Sequence, residues 1–274
     1  MDRSLRVDAR NRGVRRLASL SLVAALGACS PAADAPLPEA APAAPERLAV
    51  ERSSVDVDRM LNAAFLVVDG VYNSELMAPY DILQHTIFHT PKHNDAPGIE
   101  TFVVSPDGED VITFEGLRVG AHHSFETAPP IDILIVPSAE HSMDSDLENE
   151  ELISWVKEVG GNASFVVSLC DGAFVLAQAG LLDDKAATTF PGDQDRFAAT
   201  FPKVDLRRGV SFVQDGRMLT SEGGAKSYDV AMYLVDHLYG LDTARGVAGG
   251  LIIDWPLPAD QALVADVGST EASG

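Results

Sequence analysis

Cysteine is nearly absent from this 274-residue chain. It has two, Cys29 and Cys170, so no disulfide framework can staple the fold. Cations are scarce too, with 20 Lys and Arg against 41 Asp and Glu and a net charge of −21. Six of the arginines (Arg3, Arg6, Arg10, Arg12, Arg15, Arg16) share the first 28 residues with two aspartates, a local net of +4. From Cys29 onward the charge is therefore −25, which is −21 less +4. A surface that acidic repels phosphate backbones and excludes nucleic acid as a partner. The N-terminal apolar run, residues 17–28, would extend only about 18 Å as a helix, too short to span a bilayer. Internal repeats and the ligand spacing of an EF-hand loop are also missing. The hydrophobic content of 46% is ordinary and supplies a core.

The basic start followed by that short apolar run has the form of a signal peptide. It ends in Leu26-Gly27-Ala28-Cys29, which resembles the bacterial lipobox. Residues 1–28 are thus expected to be a lipoprotein signal peptide and Cys29 the lipidated N-terminus. Ser30 follows in place of an acidic residue, which favours the outer membrane. The expected location is the bacterial cell envelope, with the membrane reached through the lipid anchor. Residues 29–58 are rich in Ala and Pro and are expected to form an unfolded tether. One domain over 59–257 and a flexible acidic tail over 258–274 complete the expected organisation.

Within the domain, continuous apolar runs alternate with helical periodicity. Strands are predicted over 65–68, 100–105, 131–136 and 165–169, with hairpins around Glu115-Gly116 and Asp215-Gly216. Helices are predicted over 75–88, 147–159 (stopping at Gly160-Gly161), 172–179, 225–239 and 243–252. Such alternation implies a mostly parallel sheet covered on both faces, with ligands beyond the C-terminal ends of its strands.

Cys170 stands where the 165–169 strand turns into a helix, the arrangement of a nucleophile elbow. A helix N-terminus stabilises a thiolate, and Gly172 permits close packing while leaving its N–H for a developing oxyanion. Spacing alone gives equal weight to a buried structural cysteine.

Wider motifs add to this. The segment "CDGAFVLAQAGLLDD" from Cys170 to Asp184 resembles the elbow motif of the ThiJ/PfpI family, within the class I glutamine amidotransferase-like superfamily. "KAATTFPG", "DGRMLTSEGG", "DILIVPSAE" and "FLVVDGVYNSELMAPYDIL" continue the resemblance in order. The nearest branches are the isonitrile hydratases and the amidase-like N-terminal domains of AraC-type regulators. The chain ends too early for the DNA-binding domain of the latter. The resemblance implies a flavodoxin-like three-layer α/β sandwich, a homodimer, no cofactor and a small-molecule substrate. It assigns the essential acid to Glu75 and a backbone oxyanion contact to the loop at Ser138 and Ala139.

Three positions depart from the family pattern. Asp171 follows the cysteine where a small or hydroxyl residue is usual, Ser138-Ala139 replaces a glycine-rich loop, and Phe190 stands where a histidine often follows the threonine pair. Cys170 with Glu75 is therefore the expected constellation, with Asp171 beside it opposing the helix dipole or holding a water or substrate amine. His141, after the 131–136 strand, is the auxiliary histidine candidate. The pairs His85/His89 and His122-His123 lack a third ligand, so no metal is expected. The helix N-terminus and a protonated Glu75 are expected to bring the thiol below its ordinary value of about 8.5. The activity implied is hydration or hydrolysis of a small isonitrile- or amide-like electrophile. The alternatives are a noncatalytic ligand-binding or redox-sensing domain, and glyoxalase- or deglycase-like action on reactive carbonyls.

Overall fold

The computed structural model describes residues 47–93, 96–259 and 262–264. In chain order the first half of the domain contains β1 (Leu61–Leu66), α1 (Asn73–His93), β2 (Ile99–Val104), β3 (Val111–Ile112), β4 (Arg118–Val119), β5 (Ile133–Val136), α2 (Ser145–Glu148) and α3 (Glu150–Asn162). The second half contains β6 (Phe165–Leu169), α4 (Gly172–Gln178), β7 (Ala186–Ala187), α5 (Gln194–Thr200), β8 (Asp205–Leu206), β9 (Phe212–Asp215), β10 (Met218–Ser221), α6 (Ser227–Tyr239), α7 (Leu241–Leu251) and β11 (Ala262–Val264).

Seven strands form one sheet in the order β11-β9-β10-β6-β5-β1-β2. Every neighbouring pair is parallel except β9 with β10, the hairpin expected at Asp215-Gly216. Central strands β5 (ILIV) and β6 (FVVSL) are buried at every residue, as apolar runs covered on both faces must be. On one face Leu76, Ile82 and Leu83 of α1 pack with Val230, Tyr233 and Leu238 of α6 and Val247 of α7. On the other, Leu152 and Val156 of α3 join Phe174 and Leu176 of α4 and Phe197 of α5. This is the flavodoxin-like three-layer sandwich expected from the sequence.

Several boundaries differ from the expectation, among them β1, which lies at Leu61–Leu66 and not 65–68, and α1, which runs over Asn73–His93 and not 75–88. The helix predicted over 147–159 is two helices, because Asn149 is extended and its side chain caps α3 by accepting the Leu152 N–H. That helix also runs through Gly160, where a Cβ would lie 2.6 Å from Leu181 Cδ1. The glycine there makes room for a neighbour and does not end the helix.

Residues 47–58, expected to belong to the tether, are part of the domain. Leu48 N–H donates to Leu257 O and Ser53 N–H to His237 O, both at 2.7 Å. Leu48, Val50, Val55 and Val57 rest on the core beneath α6 and α7. Spacing of two within each of the pairs 48/50 and 55/57 turns those side chains inward along an extended strap, a pattern hidden by the Ala/Pro-rich average over 29–58. The tail expected from 258 is likewise attached at its start: Pro258 bridges to Arg47, and β11 pairs with β9. The signal peptide, Cys29 and the rest of the tether and tail lie outside the described residues.

Candidate active site

Four adjacent strands, β10-β6-β5-β1, run parallel and deliver the site from their C-terminal ends. After β6 comes Cys170, with φ +54° and 8% of its surface exposed. That left-handed backbone costs an ordinary residue roughly 1–2 kcal/mol. It is held by the Cys170 N–H donating to Ser221 O (3.0 Å) and by the Thr189 hydroxyl donating to Cys170 O (3.0 Å). Two glycines make the elbow possible. A Cβ on Gly172 would lie 2.1 Å from Val136 O, and one on Gly223 (φ +80°) would lie 2.3 Å from the Cys170 Cβ. Gly172 thus permits the close packing expected of it.

Glu75, in the first turn of α1 after β1, is buried and ties two of the other loops together. Its Oε2 accepts the Ser138 N–H (3.1 Å) from the loop after β5. Its Oε1 accepts the Gly224 N–H (3.2 Å) from the loop after β10. Burial raises the Glu75 carboxyl above its ordinary value, while the Gly224 amide, the Cys170 thiol and the Ser138 amide hold it down. The structure therefore brings the Glu75 carboxyl and the Cys170 thiol together.

The expectation for the thiol itself is reversed. Burial pushes Cys170 up, and the charges of Glu75 and Asp171 push it further; the Asp171 N–H at the sulfur opposes them. The seven-residue α4 carries too little dipole to outweigh a dry site with two carboxylates. At rest the sulfur is a thiol, donating to Asp171 Oδ2 and lying beside the Glu75 carboxyl, not a thiolate.

Asp171 lies within 3.8 Å of the sulfur through Oδ2, and its Oδ1 accepts the Thr189 hydroxyl at 3.0 Å. Burial raises this carboxyl to about 7, the Thr189 bond opposing and the nearby Asp193 and Glu75 adding to the rise. Asp171 therefore exchanges a proton near neutrality beside the Cys170 sulfur. Asp193 and Thr189 were not singled out from the sequence. The threonine pair before a Phe-Pro-Gly turn was visible there, but which side chain it would meet was not.

The oxyanion assignment to Ser138 and Ala139 does not hold as expected. Ser138 N–H is engaged by Glu75, and Ala139 N–H donates to Ser142 Oγ at 2.8 Å. With serine and alanine replacing glycines, the loop turns its amides inward to these side chains. His141 is exposed on the turn beyond, where its charge acts on Asp146. His85 bonds within its own helix to Asp81 O, and His122 Nδ1 accepts the Val103 N–H. A cleft of about 460 Å³ beside the stacked Phe125 and Trp155 lies at the opposite end of the strands, away from Cys170.

The DJ-1/PfpI family model matches residues 62–237, which include all of these strand ends. The chain belongs to the DJ-1/PfpI family. It is 29% identical to an isonitrile hydratase of Pseudomonas putida over 185 residues, covering 68% of this chain and 75% of that one. It is 27% identical to the HTH-type transcriptional regulator CdhR of Pseudomonas aeruginosa over 151 residues, 55% of this chain but only 44% of the regulator. In structure it is similar to DJ-1beta of Drosophila melanogaster, with a TM-score of 0.61 at 19% identity, covering 72% of this chain and 100% of that one. The DJ-1/PfpI membership is the one the motifs implied, and the DJ-1beta likeness concerns the fold alone.

Proposed function

We propose that this DJ-1/PfpI protein is a cysteine-dependent hydratase or hydrolase of a small isonitrile- or amide-like electrophile. We further propose that it works in the bacterial cell envelope, anchored by lipid on Cys29. The observation that carries the reading is the pairing of Cys170, on a left-handed elbow, with the buried carboxylate of Glu75. Similarity to an isonitrile hydratase supports the choice of electrophile.

For an isonitrile, the sulfur attacks the terminal carbon as the thiol proton passes to Glu75, and that proton then returns to the same carbon to give a thioimidate. Water adds to the carbon, with Asp171 placed to take its proton while the nitrogen gains one. Cleavage of the C–S bond releases the N-substituted formamide, and the sulfur recovers its proton. A buried carboxyl titrating near neutrality suits that second step.

The test is formamide production from short alkyl isonitriles by the purified protein. Turnover lost in Cys170→Ser supports the reading; no turnover by the unaltered protein overturns it. The noncatalytic alternative gains its ligand-binding arm from the buried, upward-shifted thiol, whereas its redox-sensing arm is disfavoured by it, since oxidation follows thiolate character and exposure. It is favoured if peroxide oxidises Cys170 stoichiometrically while no isonitrile or amide is consumed. For the anchor, Cys29→Ser should abolish membrane fractionation, and unchanged fractionation would refute it.

A further inference from the structure

The Asp171 N–H lies at the sulfur, and the amides of the loops after β5 and β10 are largely engaged within the protein. Glu75 holds Ser138 N–H and Gly224 N–H, Ser142 Oγ holds Ala139 N–H, and Ser221 holds the amides of Gly223 (3.3 Å) and Cys170. Addition of water to a thioimidate carbon, or of sulfur to an amide carbonyl, nevertheless leaves negative charge on the attached nitrogen or oxygen. A donor aimed at that atom is typically worth a factor of roughly 10²–10³.

Tyr72 stands on a loop that frames this site. It ends the loop between β1 and α1, three residues before Glu75, with its N–H donating to Ser138 O (3.1 Å) and its O accepting the Leu76 N–H (3.1 Å). The same loop is bridged to the β5 loop by the pairing of Val71 with Ala139. Backbone bonds therefore fix Tyr72 to the β5 loop, one of the two loops that Glu75 joins. Its ring lies on that of Phe114, centroids 4.6 Å apart, and Phe114 is itself half exposed. The ring is half-buried, and its hydroxyl has no hydrogen-bond partner among the described residues. After burial, the charges that most oppose ionisation of this phenol are those of Cys170 and Glu75, followed by Glu140 and Asp171. The hydroxyl thus keeps its proton and shares the electrostatic surroundings of the nucleophile.

We propose that the Tyr72 hydroxyl is the catalytic donor this site presents to the substrate heteroatom on which charge develops, replacing the loop amides. It donates a hydrogen bond without transferring its proton. The substrates it suits carry a lone-pair nitrogen or oxygen on or conjugated to the attacked carbon. The inference rests on Cys170 being the nucleophile, but its test does not require turnover.

Two reagents with the same amide separate the effect. Addition of Cys170 to acrylamide drives charge onto the amide oxygen, whereas displacement of iodide from iodoacetamide does not. In Tyr72→Phe the ratio of acrylamide to iodoacetamide rates at Cys170 should fall about tenfold or more. A ratio within twofold of the unaltered protein overturns the proposal. The ratio measured against pH in the unaltered protein gives the same information without a variant. It should fall above pH ~10 as the phenol ionises, and a flat ratio overturns the proposal. A falling ratio without isonitrile turnover would refute the hydratase reading and support the role of Tyr72. Turnover with an unchanged ratio would do the reverse.

Discussion

Asp171→Asn removes a carboxyl that the fold holds at about 7 instead of the ordinary 3.8. A raised acid favours the folded state only while protonated. Its contribution is complete below about pH 4, declines as pH rises, and is lost above about pH 7. The difference corresponds to as much as about 4 kcal/mol at pH 8, at roughly 1.4 kcal/mol per unit of pH through the middle of the window. Glu75, Asp146, Glu222 and Asp236 are also raised, chiefly by burial, so the slope of the unaltered protein belongs to several groups. The comparison with the asparagine variant isolates one of them. A carboxamide can still accept the Thr189 hydroxyl, so the pH-independent part of the change should be small. Urea denaturation at half-unit steps from pH 4 to 8 would measure it. The stability of the Asp171→Asn variant relative to the unaltered protein should rise steadily across that range, most steeply between pH 5 and 7. A difference that stays flat would show that Asp171 ionises freely, and its assignment as the neutral-pH proton carrier would fail with it.

Glu75→Gln should abolish turnover yet speed iodoacetamide alkylation of Cys170 several-fold near pH 8, because a charge that pushes the thiol up is gone; slower alkylation would contradict the electrostatics. The same variant should lose about 1–3 kcal/mol, since a carboxamide offers one acceptor oxygen to two amides, measurable by thermal melting. Gly223→Ala should cost about 3 kcal/mol or more and disturb Cys170 reactivity, while Gly224→Ala, left-handed but with open space, should cost about 1 kcal/mol. Equal losses at the two glycines would refute the steric account. A chain beginning at Met60 should melt well below one beginning at Arg47, by a few kcal/mol, because four aliphatic side chains leave the α6–α7 face; identical melting would return residues 47–58 to the tether.

Much of this was legible in order along the chain. Buried strands such as 165–169 are short unbroken apolar runs whose meaning does not depend on distant residues. Cys170 could be singled out because the ends of parallel strands are where such a sheet binds ligands, and Glu75 because the motif around it resembles the family's first loop and helix. The strap over 47–58 was not legible, because four aliphatic residues among prolines and alanines matter only once a helix face is present to receive them.

The residues alone thus determined the alternation of strands and helices and the elbow, properties of local pattern, while the family resemblance marked Cys170 and Glu75 as the candidate pair. The tertiary structure decided the chemistry of that pair. Whether a thiol is lowered by a helix or raised by burial depends on how many carboxylates converge and how much water is excluded. Whether an amide is left for a substrate depends on which side chain arrives first. Glu75 is 63 residues from Ser138 and 149 from Gly224, and no spacing rule joins them. Only the packing of four strand ends against one another places a single carboxylate between those amides and the sulfur.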